Sequence, residues 1–315
     1  MPIVVNTNAA ATQASFNLSK ANDALRSSLK RLSSGNRINS PADDAGGMAV
    51  AYKMDSTIKR TESAIQNSQN GLSYLQVQDG ALKTVGNILT RMSELRTMAM
   101  DVTKNSGDIE NYSKEFVELQ SQLNQIKESK FNGISLFAHN TSTLTGTGNS
   151  GTGTYGAGTS YNTFSRTLFT TPSGIAADGS ISLNVVNLQF VLSVGSGGAD
   201  LGGVSTGTGH DTITVGAKTF LRDIEDFNIS VFTTAIEKLA DMRAENGAEQ
   251  NRVMNSIEFL QTNMTNLEAA HGRIMDADIA LESTRFARQN VLVQASASMT
   301  AQANQLTNVA LQLLG

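Results

Sequence analysis

Apolar residues at both ends of the chain recur at alternating spacings of three and four, the period of a helical seam lying along a partner helix. Near the start, Ala11, Ala14, Leu18, Ala21, Leu25 and Leu32 form such a stripe, with Ser28 filling its gap. Near the end, Leu292, Ala295, Met299, Leu306, Val309 and Leu313 form another, interrupted only by Gln302. Just upstream, Val253, Ile257, Leu260, Met264, Leu267, His271 and Ile274 keep the same alternation. A longer run passes from Ile58 through Ile65, Leu72, Leu75, Leu82, Val85 and Leu89 to Met92. The matching register predicts that the two ends of the chain pack together.

Local signals set the helix limits. In RINSPADDAGG, Ser40 is the expected cap, Pro41 the first helical residue and Asp43 the third, completing a capping box. No proline follows until well beyond Lys104, which allows a rod of about 90 Å. NSGD ends that rod, and a second helix is expected over about 110–129. In KFNGISLF, Asn132-Gly133 between β-formers predicts a tight hairpin turn.

The middle follows another rule. Residues 138–217 carry only Arg166, Asp178, Asp200 and Asp211 as charged residues and hold 16 of the 27 glycines. Pieces such as ISLNVVNLQFVLSV and DTITVGAKTF predict short strands between glycine turns. The expected fold is mainly α, with long coiled-coil-like helices from paired N- and C-terminal segments. A β-hairpin and an inserted β-rich module complete it.

Composition narrows the function. A net charge of −4 argues against nucleic-acid or anionic-membrane partners, which attract basic surfaces. Without cysteine there is neither a disulfide framework nor a thiolate metal site. No apolar run reaches the length of a membrane span, and MPIVVNTNAAATQ has no basic n-region or apolar h-region of a secretory leader. GTGNSG at 146–151 fits the dinucleotide fingerprint in letters only, because neither a strand before it nor a helix after it is expected. SSLK and STIK lie on ordinary helical stretches, and His139, His210 and His271 are far apart in sequence with no H-E-x-x-H. Neighbouring acids such as Asp276 and Asp278 fit capping better than acid–base work. No active site and no cofactor are expected.

What remains is the tail. Residues 289–315 contain no charged side chain, and Val291, Val293, Ala297, Leu311 and Leu314 widen the apolar surface beyond one stripe. Burying one stripe does not offset the ordering entropy of so long a segment. Such a helix is expected to stay disordered alone and to find partners on several sides in other copies of the chain. Leu18, Leu25, Leu32, Leu292, Ala295, Met299, Leu306, Val309 and Leu313 are the expected residues of a polymer core.

Three blocks carry a resemblance: LSSGNRINSPADDAGGMAVAYKM, SKFNGISLF and the long stretch from GAEQNRVMNSIEFLQ to SASMTAQANQL. Over about 3–137 and 234–315 the chain resembles bacterial flagellin. That resemblance implies a non-catalytic subunit that self-assembles into the flagellar filament for swimming. It is exported through the flagellum's own channel to the cell exterior, without a cleavable signal peptide. The implied domains are 1–39 with 275–315 as filament core, 40–137 with 225–274 as helical rod, and 138–224 as a variable outer domain. Implied partners are further copies, an export chaperone on the C-terminal helix and the filament cap. TRMSELRTM is similar to a stretch that animal innate immune receptors recognise, with Arg91, Leu95 and Glu118 as the matching contacts. The alternatives are a hook–filament junction protein of the same family and a secreted adhesin with a helical stalk.

Overall fold

The computed structural model describes residues 8–138, 149–155, 159–175, 177, 179–192, 212–215, 218–221 and 224–314. The helices are α1 (Ala9–Ser34), α2 (Ala45–Ala99), α3 (Ser106–Lys127), α4 (Leu188–Val191), α5 (Ile229–Met275) and α6 (Ile279–Leu314). The strands are β1 (Lys130–Phe131), β2 (Ile134–Ser135), β3 (Asn149–Tyr155), β4 (Thr159–Phe169), β5 (Ser180–Val185), β6 (Thr212–Val215) and β7 (Lys218–Leu221). The chain divides into two compact units, residues 1–59 with 263–315 and residues 60–262.

In the first unit α1 and α6 run antiparallel. The Asn8 amide donates to the Ala303 carbonyl at 2.9 Å at one end, and the Ala277 amide donates to the Gly35 carbonyl at 2.8 Å at the other. Asn8 caps α1, and Gly35 closes it at φ 72, the left-handed conformation glycine adopts without strain. Past this cap the Arg37 guanidinium donates twice to the Ile274 carbonyl, at 2.8 and 3.2 Å, and Asn36 bridges Asp276. Asp278 caps α6 by accepting from the Leu281 amide at 3.1 Å.

The second unit is built on α2, whose positions 75, 82, 85, 89, 92 and 95 are fully buried. They pack with Phe116 and Leu123 of α3 and with Phe232, Leu239, Met242 and Val253 of α5. Phe116 sits between Phe227, at 5.1 Å, and Phe232, at 6.1 Å and nearly perpendicular, an arrangement that aromatic quadrupoles favour. A polar line runs through this core. The Asn246 amide donates to Gln78 Oε1 at 2.6 Å, and the Gln78 amide donates to the Leu136 carbonyl at 2.9 Å.

The expected hairpin turn is present, with Phe131 paired to Ile134 across Asn132 at φ 49 and Gly133 at φ 78. These positive angles belong to the mirror-image turn that matches strand twist. β3, β4 and β5 form one antiparallel sheet, and β6 and β7 form a separate hairpin.

One expectation needs correction. The stretch after β5 is not a continued strand: Asn187 accepts from the Phe190 amide at 3.1 Å and starts the single turn α4. Part of the inserted stretch also joins the second unit's core. Ile181, Leu183, Val186, Leu188, Val191 and Leu192 join the same cluster as Leu75 and Phe232, because the α2–α3–α5 bundle leaves an apolar side that they cover.

Candidate assembly surface

The two terminal stripes behave differently in the single chain. On α1 the expected face is the one turned to α6: Ala21 and Ser28 are buried, and Leu18, Leu25 and Leu32 are half-buried. On α6 the shielded positions are Glu282, Phe286, Gln289, Val293, Ser296, Thr300 and Ala303, again in four–three alternation. The expected stripe lies one position away, about 100° round the helix. Leu292 is 45% exposed, Met299 66% exposed, and Ala295 is also exposed. The side chains of Leu306, Val309 and Leu313 lie outside the described residues.

The choice of face has a physical account. The α1 stripe alternates leucine with alanine and serine, its two buried residues, Ala21 and Ser28, being small, and small side chains let helix axes approach closely. The α6 face opposite is partly polar, and its Thr300 hydroxyl is satisfied within the helix, donating to the Ser296 carbonyl at 2.8 Å. At its base Glu282 is 4% exposed and accepts from Arg285 at 3.3 Å. Leu292 and Met299 stay outside. Leu281, at 51% exposure, extends this outer stripe backwards by spacing, and Val291 forms its shoulder. Sequence reasoning passed over Leu281 because Arg285 and Arg288 separate it from Leu292. The tail, expected to be disordered in a lone chain, is helical to Leu314.

The cap is also displaced. Asp44 Oδ1 accepts from the Gly47 amide at 2.8 Å, so Asp44 caps α2 at Ala45. Ser40 instead donates its hydroxyl to Asp43 at 3.0 Å, and Asp43 also accepts the amides of Asn39 and Ser40. The Asn39 amide first, then the Ser40 hydroxyl and amide, hold the Asp43 carboxyl below its usual range. A Cβ at Gly47 would meet the Asp44 carboxylate and, at 2.9 Å, Ile38 Cδ1, so glycine there leaves both side chains their places.

Arg91, Leu95 and Glu118 do not form a common surface. Arg91 and Glu118 are exposed, but Leu95 is 0% exposed and packs in the second unit's core. Arg91 bonds Glu115 at 2.7 Å and Glu94 at 3.2 Å, so its partner across α3 is one turn before Glu118. Among the described residues no group of three or more His, Asp or Glu is placed to hold a metal, and no helix is long and apolar enough to cross a membrane.

Both ends of this chain match known proteins. Residues 5–142 match the bacterial flagellin N-terminal helical region, and residues 229–314 match the bacterial flagellin C-terminal helical region. The flagellin of Bacillus subtilis (strain 168) is 32% identical over 98% of this chain and 99% of its own. The chain belongs to the bacterial flagellins. Flagellin A of Vibrio anguillarum is 29% identical over the full length of both chains. The crystal structure of Bacillus cereus flagellin superposes with a TM-score of 0.41 at 24% identity, covering 65% of this chain and 94% of that one. This flagellin is a structural subunit of the bacterial flagellar filament. The junction-protein and adhesin alternatives gain nothing from these relatives.

Proposed function

We propose that this flagellin polymerises through the outer stripe of α6, with α1 and α6 of each copy forming the filament core. The observation that supports this reading is the exposure of Leu281, Leu292 and Met299 on a helix whose more polar face is already used against α1. A side-by-side array of copies buries that stripe, and the absence of charge on 289–315 removes the desolvation penalty that an unpaired ion carries there. Leu306, Val309 and Leu313 continue the same stripe by spacing and are assigned to the same core. Residues 40–137 with 225–274 then serve as the rod, and 138–224 include the outward-facing part.

The family resemblance supports an extracellular place on the flagellum, export without a cleaved leader, an export chaperone on α6 and a filament cap at the growing end. For a host innate receptor, Arg91 and Glu118 are available at the surface, whereas Leu95 is not.

The test is seeded growth. Met299→Asp is expected to abolish sedimentable polymer on filament seeds while leaving the circular dichroism of the monomer unchanged. Normal polymerisation of that variant defeats the assignment. Loss of helicity in the monomer also counts against it, because the stripe then belongs to an internal core.

A further inference from the structure

Three Asn-Gly pairs occur in this chain: Asn70-Gly71, Asn132-Gly133 and Asn246-Gly247. Asparagine before glycine is chemically labile, because the glycine amide nitrogen can reach the asparagine Cγ with no Cβ in the way. Whether it does so depends on what else that amide is doing. Gly71 lies inside α2 and Gly247 inside α5, so both amides belong to helical hydrogen-bond ladders. The Asn246 side chain is buried as well, donating to Gln78 at 2.6 Å and accepting from Gln250 at 2.6 Å. Asn70 is exposed like Asn132, and only its helical backbone protects it.

At the hairpin tip nothing comparable holds the reacting atoms. Asn132 and Gly133 are exposed, and among the described residues no hydrogen bond leaves the Gly133 amide. A Cβ built on Gly133 meets nothing within 4 Å, so the approach is open. The turn demands positive φ at both positions, which is why Asn-Gly stands there. The strands on either side are two residues each, so the tip can relax without opening a helix.

We propose that Asn132 is a site of spontaneous deamidation in the folded chain, and that Asn70 and Asn246 are not. The Gly133 amide loses its proton to hydroxide and its nitrogen attacks Asn132 Cγ. The new N–C bond forms, the Cγ–Nδ2 bond breaks, and the nitrogen leaves as ammonia. One water then opens the resulting succinimide at either carbonyl, giving aspartate or isoaspartate. Solvent supplies every reagent and no electrons change hands. The product places a carboxylate at the tip, and the isoaspartate form adds a methylene to a turn with no room for one in its pattern. Phe131 packs edge-on to Tyr74 at 6.2 Å, and the Tyr74 hydroxyl donates to the Ser135 carbonyl at 3.2 Å. The altered turn therefore acts directly on a core contact of α2.

The experiment ages the full folded chain in mildly alkaline buffer beside the same chain unfolded in guanidinium. Peptide mapping and labelling by an isoaspartate-specific methyltransferase report all three sites. In the unfolded chain all three convert, which shows that each is detectable. In the folded chain Asn132 is expected to convert at least about a hundredfold faster than Asn70 or Asn246, equivalent to about 2.7 kcal/mol of local protection. Asn132 staying intact in the folded chain, or Asn70 keeping pace with it, overturns the proposal.

Discussion

Glu249 accepts the Asn184 amide with both carboxylate oxygens, at 2.9 and 3.0 Å, so a side chain of α5 stands where the next strand beside β5 would be. Burial pushes its carboxyl up from 4.5 to about 7, opposed by the Asn184 amide, reinforced by Glu245 and opposed again by Arg252. The folded chain holds this proton more tightly than the unfolded one. The associated stability is therefore full below about 4.5 and is lost as pH rises through about 7. Its size is at most about 3 kcal/mol, less the screening of a partly exposed group. In Glu249→Gln the acceptor remains and the titration goes, so thermal melts are expected to lose this fall between those pH values. A variant that keeps the same slope assigns it to another group. A smaller effect belongs to the cap: Asp44→Ala is expected to cost about 1 kcal/mol in denaturant midpoint, and Ser40→Ala clearly less.

At the scale of elements, long periodic stretches were readable and their partners less so. The stripe on α2 is its buried face, and Asn132-Gly133 makes the expected turn, because period and turn chemistry are local properties. The face of α6 that meets α1 lies one position from its most apolar stripe, and hydrophobicity alone does not say which face of a helix meets which partner. Ser40, Pro41 and Asp43 have the spacing of a capping box, yet the helix starts four residues later. Asp43 is engaged by Asn39 and Ser40 while Asp44 caps α2, and residue type does not settle which of two adjacent acids does so. The same limit hid the packing of β5 and α4, whose glycine-rich surroundings suggested an independent module. Leu183→Ala is consequently expected to destabilise the second unit by about 2–4 kcal/mol, where the exposed Phe169→Ala changes little. Replacing 138–217 with a short linker is expected to lower the melting temperature of the helices, since it strips six residues from their core. Unchanged melts in both cases return the stretch to the status of a free appendage.

For the whole molecule, the unit made from both chain ends carries the outer stripe, and the unit from 60–262 has its own core. Removing residues 289–315 is therefore expected to end seeded growth and to leave the principal calorimetric transition in place. The Gln78–Asn246 pair adds a mechanical consequence. Sliding α5 along α2 by one heptad brings Leu239 or Val253 to the place of Asn246, stranding Gln78 Oε1 against a hydrocarbon. A buried polar group left without its partner costs about 1–3 kcal/mol, on top of the bond it gave up. The helices thus behave as a keyed shaft in its slot: axial load can bend or rotate them together, but it cannot let them creep past one another by a notch at a time.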